Sequence, residues 1–256
     1  MPDVPKISSP SIGLPPTRKF PDHPFAETLP LHPFFEKRES PQAGLILVTS
    51  DKGLCGAFNG NLIKACVSWI RENQDKKIRV FAVGRKGRDF LSRVRSSNLE
   101  MAFDLAHIFP KAGFSHADLL GKAVMGEYLK LNLSSVTVIY NEFKSIVQQK
   151  VVQKTLLPLV PAASSAAGGH LDFIFEPSRD KLLEALLPRY VKAQIYRILL
   201  ESQAAELAAR MNAMDSATKN AGELMGSLTL VLNRTRQAGI TKEIAELVGG
   251  AEALAS

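Results

Sequence analysis

From Arg189 to Val248 the chain contains no proline, and Gly249–Gly250 supply a stop directly after that stretch. A continuous helix over this span would run to about 90 Å. Its apolar pattern is regular. Leu183, Leu186, Tyr190, Ala193, Arg197, Leu200, Ala204, Leu207, Met211 and Met214 step by alternating threes and fours, and Thr218, Ala221, Met225, Leu228 and Leu232 keep the register. Only Arg197 and Thr218 interrupt it, so the stretch reads as a coiled-coil seam. A seam of this length needs a partner helix of similar length. The remaining helical stretches are short, and the first 41 residues hold ten of the fifteen prolines, which block helix interiors. The expectation is a rod that does not fold back on its own domain. Its partner is then another chain, a second copy or a segment outside this sequence.

Between the two ends lies a segment of different character. "AGLILVTSDK" at 43–52 is a continuous apolar run of the kind a strand buried on both faces shows. Leu62, Ile63, Cys66, Val67 and Ile70 then recur at helical spacing. A second buried strand follows at 78–83, a short helix at "GRKGRDFLSRV", and a further helix at 116–131. "SSVTVIYNEF" reads as a strand, and "IVQQKVVQKTLLPL" as another that runs antiparallel. This alternation predicts an α/β fold: a Rossmann-like domain with a mainly parallel sheet, followed by a long C-terminal coiled-coil helix. The corresponding divisions are a proline-rich, disordered lead-in at 1–41, the α/β domain at 42–176 and the helix at 177–256, with "PAASSAAGGH" at 161–170 as a low-complexity linker.

Composition narrows the function. The net charge of +7 is spread along the chain without aromatic interleaving, which argues for a solvated surface rather than a nucleic-acid site. No apolar run approaches the ~20 residues of a membrane span. The two cysteines, Cys55 and Cys66, build no disulfide framework, and the five histidines are too scattered for a metal site.

The loop "SDKGLCGAFNGN" carries Gly53, Gly56 and Gly60 between an apolar strand and a helix. That GxxGxxxG spacing is neither the dinucleotide fingerprint nor a P-loop, and Arg85 and Lys86 stand where a ribose-binding acid would end the second strand. Lys52 and the helix-start amides could hold an anion. The reading preferred is a structural turn, with no cofactor. Cys55 has no base assigned to it, and Asp51 is expected to cap rather than to act as a base. Near the end, Arg234, Arg236, Gln237, Thr241 and Lys242 form a hydrogen-bonding cluster beyond the apolar seam. It is either a solvated helix end or a polar contact surface on the tip of a rod.

"LVTSDKGLCGAFNGNLIK" together with "AARMNAMDSATKNAGELMGSLTLVLNRTRQAGITKEIAELVGGAEAL" resembles the gamma subunit of F-type ATP synthase, the likeness running from about Leu31 to Ala253. The resemblance implies the central-stalk rotor of a proton-driven complex, itself non-catalytic. Its partners would be the alpha, beta, epsilon and c-ring subunits, and its place the cytoplasmic face of the bacterial inner membrane, reached indirectly through the c-ring. It also implies that Arg236, Gln237 and Thr241 meet a catch loop of a beta subunit, and that "IAELVGGAEAL" turns within an apolar collar. Family members begin with a basic helix that forms the other half of the coiled coil, where this sequence has "MPDVPKISSPSIGLPPTRKFPDHPFAE". The alternative reading is a degenerate gamma-like protein that has lost the rotor role and self-associates, or binds another partner, through its long helix.

Overall fold

The structure is a computed structural model that describes residues 32–94, 96–160 and 179–255. The expected linker at 161–170 and most of the lead-in lie outside the described residues. Five strands, β1 (Gln42–Val48), β2 (Lys77–Val83), β3 (Leu99–Leu105), β4 (Val136–Phe143) and β5 (Gln149–Leu157), form one sheet in the order β3-β2-β1-β4-β5. All neighbours are parallel except β4 and β5. Helices α1 (Phe58–Glu72), α2 (Arg85–Leu91) and α3 (Phe114–Lys130) connect the parallel strands, and α4 (Arg179–Ala255) follows the sheet.

The apolar strands are buried on both faces because successive side chains serve two cores. Ala43, Leu45 and Leu47 of β1 pack with Leu62, Cys66 and Trp69 of α1. Ile46 and Val48 pack on the other side with Leu120 and Val124 of α3 and with Val191, Ile195 and Leu199 of α4. Residues 32–41, within the lead-in of the sequence reading, already join this second core: Phe34 is buried there, and its carbonyl accepts a hydrogen bond from Leu159 N at 2.6 Å. Burial pushes the Cys66 thiol up to about 12, so it stays protonated and behaves as a small hydrophobe.

Two features differ from expectation. Strand β3, "LEMAFDL", was not read from the sequence; it is an edge strand, only half buried, and Glu100 and Asp104 break its apolar run. The second difference is larger. The rod was expected not to fold back, yet Leu187, Val191, Ile195, Ile198, Leu199 and Ala205 of α4 are buried against the body. Helices α3 and α4 approach closely at Gly121, where an added Cβ would lie 2.9 Å from Lys192 Cγ. Lys192 Nζ and Asp118 meet alongside at 2.6 Å. The helix also begins before Pro188, which it accommodates in its interior.

Gly84 is the position that most needs glycine. Its φ is +87°, and a Cβ there would lie 2.2 Å from the Thr49 carbonyl oxygen. Gly84→Ala is expected to cost about 3 kcal/mol or more. Gly60 lies inside α1 with nothing within 4 Å of its missing Cβ, and Gly60→Ala is expected to stabilise by about 0.5–1 kcal/mol. Chemical denaturation of the two variants checks both signs.

Candidate functional site

In a sheet of this order the chain runs outward from β1 through β2 to β3 and then crosses back to β4 on the other side of β1, and the crevice at the carboxyl end of β1 is where doubly wound folds bind ligands. The glycine loop emerges there. Its geometry is that of a knot of internal hydrogen bonds. Asp51, 4% exposed, accepts from the backbone N–H of Arg85 (2.9 Å) and His107 (2.8 Å) through Oδ1, and from Phe109 N–H (2.9 Å) through Oδ2. It therefore ties the loops after β1, β2 and β3 together. It caps the start of α2, not of α1, whose N-cap is Ala57 with no side-chain bond. Thr49 Oγ1 donates to Val83 O and accepts from Gly87 N–H at 2.7 Å, locking α2 to β1. Asn59 Nδ2 donates to Ser50 Oγ at 2.8 Å and to Cys55 Sγ at 3.2 Å. Of the three glycines read as loop residues, Gly60 instead falls in the first turn of α1, and of the two that remain in the loop only Gly56 has a positive φ, +55°.

Asp51→Asn leaves an amide N–H₂ directed at a backbone N–H. A loss of about 2–3 kcal/mol follows from one orphaned buried donor and a weakened set of charge-assisted bonds. Thermal unfolding measures it, and a variant as stable as the parent contradicts the role given to Asp51.

The crevice is covered by the chain's own helix. Ala205 of α4 is buried with β1 and α1 residues, Arg210 Nη2 lies 3.5 Å from the Gly53 carbonyl, and Asn212 Nδ2 donates to Ile146 O at 2.6 Å. A cleft of about 280 Å³ remains between α4, the loop and the β4–β5 hairpin, lined by Asn61, Asn141, Gln149 and Asn212 among others. Among the described residues no cation lines it.

Beyond Asn212 the helix leaves the body. Every residue from Met214 to Ala251 is exposed. Counting about 100° per residue, the body-facing stripe through Val191, Ile195, Ile198 and Ala205 lies about 180° from Leu200, Ala204, Leu207 and Met211. The helix is apolar on two opposite sides. One side is in the core, with Val191 and Leu199 at 0% exposure; the other is open, with Leu207 at 46% and Met211 at 62%. The outer stripe continues through exposed Met214, Ala221, Met225, Leu228 and Leu232. Arg236, Gln237 and Thr241 follow, all exposed and with no side-chain hydrogen bond among the described residues. At about 1.5 Å per residue they are about 36 Å or more beyond Asn212. Sequence reasoning missed Glu206, Arg210 and Asn212 at the exit point. The i,i+4 spacing of an acid and an arginine within an otherwise alanine-rich face was the available signal.

A helix anchored on one side, bare and apolar on the other, and projecting from its body is the form of a scaffold part with a face left open. The comparisons with known proteins place it in a family. The family profile described as ATP synthase matches residues 22–254. The chain is 49% identical over 233 residues to the ATP synthase gamma chain of Elusimicrobium minutum, covering 88% of this chain and 76% of that one. It is 43% identical over 231 residues to that of Anaeromyxobacter sp. strain K, covering 90% and 79%. Among solved structures, a chain of the central stalk and c-ring of the Tetrahymena thermophila mitochondrial ATP synthase aligns with a TM-score of 0.56 and 25% identity, over 72% of this chain and 80% of that one. A chain of the Euglena gracilis mitochondrial enzyme shares the fold, with a TM-score of 0.62 at 20% identity over 86% and 77%. The chain belongs to the ATP synthase gamma-chain family.

Proposed function

We propose that the chain works as the central-stalk rotor of an ATP synthase. It would carry rotation from a c-ring to the beta subunits without doing bond chemistry itself. The observation that carries this reading is the second apolar stripe on α4, diametrically opposite the stripe already used by the body. A helix that served only its own domain would be polar there. In this reading Leu200, Ala204, Leu207, Met211, Met214, Ala221, Met225, Leu228 and Leu232 pack against a second helix. Arg236, Gln237 and Thr241 engage a beta subunit, and Gly53 and Gly56 belong to a structural loop that leads into α1 at Gly60 and binds no nucleotide. The working division is a body over 42–176 and a shaft over 177–256, preceded by a lead-in. Alpha, beta, epsilon and c-ring subunits are the partners. Among the described residues no helix is long and apolar enough to cross a membrane, and the Elusimicrobium and Anaeromyxobacter relatives are bacterial. Both fit peripheral attachment at the cytoplasmic face of the inner membrane.

Co-expression with the alpha, beta and epsilon chains of the same organism tests this. The expected result is a stoichiometric complex whose ATP hydrolysis depends on this chain, and no heat of binding when the isolated chain is titrated with millimolar ATP or ADP. A stable homodimer that excludes alpha and beta would overturn the rotor reading in favour of self-association through the helix.

A further inference from the structure

Glu206 lies where α4 crosses the glycine loop, and it is 4% exposed. Its Oε1 is 2.6 Å from Arg210 Nη2, and the same nitrogen lies 3.5 Å from the Gly53 carbonyl oxygen. The pair therefore bridges the shaft to the loop at the last turn before the helix becomes free. Upstream, the attachment combines apolar packing through Val191, Ile195 and Ala205 with the Lys192–Asp118 ion pair; downstream, Asn212 donates to the hairpin, and from Met214 to Ala251 the helix is exposed. The charged groups that face Glu206 are Arg210 on its own helix and Asp51 and Lys52 on the loop. Asp51 cannot turn away, because three backbone amides hold its carboxylate in place. Loss of water is the largest influence on Glu206. With Asp51 it outweighs Arg210 and Lys52 and holds the carboxyl above its ordinary range.

We infer that Glu206 and Arg210 form a proton-sensitive joint between the shaft and the glycine loop, tighter when Glu206 is protonated and looser when it is ionised. The direction follows from linkage. Opening the joint returns Glu206 to water and to an ordinary carboxylate pKa of about 4.3. The closed joint has the higher proton affinity and binds more protons. Acid therefore favours closure, fully below the ordinary value, and the gain is lost as pH rises through the raised value. One proton gives a change of at most about tenfold in the opening equilibrium per pH unit. The bare attraction between Glu206 and Arg210 would have suggested the opposite sign. Burial decides against it here, because an ionised pair removed from water regains only part of its lost hydration.

The test is amide hydrogen exchange in the full chain, corrected for intrinsic rates, on peptides covering 203–214 between pH 4 and pH 8. Protection is expected to rise on acidification in the parent, by less than about tenfold per pH unit, and to be flat in Glu206→Gln, which has the shape of the protonated side chain. Equal pH dependence in both, or protection that rises with pH, would overturn the inference. Should Glu206→Gln fail to fold, carbon-detected titration of the Glu206 carboxyl in the parent decides: a midpoint above the ordinary glutamate range supports the joint, and one at or below it contradicts it. The joint belongs to this chain alone, so its failure leaves the rotor reading untouched, and loss of the rotor reading leaves the joint.

Discussion

Val191→Asp is expected to unfold the body, while the double substitution Leu200→Asp with Leu207→Asp leaves its melting temperature within a few degrees of the parent. The two sets of positions share one helix and differ only in the side they face. Val191 is fully buried between α3 and the sheet. A carboxylate there would sit within an apolar cluster, and its cost exceeds about 4 kcal/mol, a large part of the stability of an ordinary domain. Leu200 and Leu207 are 41% and 46% exposed, and substitutions at such positions usually change stability by about 0.5 kcal/mol. Their effect is expected in assembly instead. Two carboxylates placed in the middle of a helical seam face an apolar partner, and co-purification with alpha and beta subunits should be lost. The isolated double variant should also aggregate less than the parent, because it breaks a long exposed apolar stripe. A double variant that assembles normally would mean that the outer stripe is not the contact surface.

The second large effect is expected at the far end of the shaft. Arg236→Ala with Gln237→Ala in the assembled complex should lower ATP turnover by about 30- to 150-fold, which corresponds to the loss of about 2–3 kcal/mol of charge-assisted hydrogen bonding. Assembly and helix content should stay unchanged. Both residues are exposed and have no side-chain hydrogen bonds within the described chain that could fail. Alanine is also the better helix former, so a folding defect is not a competing cause. Steady-state hydrolysis at saturating ATP reads the effect, and Arg236→Lys separates charge from the planar fork of donors. Turnover within twofold of the parent would remove the catch role from these residues.

How much of this was legible in the sequence depended on how each element is buried. Strands β1, β2 and β4 are covered on both faces, so their apolar runs are continuous and easy to read. Strand β3 is a half-buried edge whose Glu100 ion-pairs with Arg79 while Asp104 lies near Arg88, and no alternation survives in "LEMAFDL". The outer seam of α4 was legible because it persists over many heptads. The inner stripe escaped because a helix that is apolar on two opposite sides satisfies the heptad template with either one. Leu187, Val191, Ile195 and Ile198 nevertheless recur at spacings of four, four and three, and that second period was the sign that α4 returns across the sheet. The glycine spacing of the loop departs from both phosphate-cradle patterns. Its organiser, Asp51, could not be placed from sequence, because its partners Arg85, His107 and Phe109 come from two other loops that only the sheet order brings together.

A central-stalk rotor turns inside its partner assembly. The most direct measurement is single-molecule rotation of the native chain, reconstituted with alpha and beta subunits fixed to a surface and carrying a probe on its α/β body. ATP-driven, unidirectional rotation of the probe is the expected result, slowed by Arg236→Ala with Gln237→Ala. A chain that binds the assembly yet stays still while ATP is hydrolysed would contradict the account.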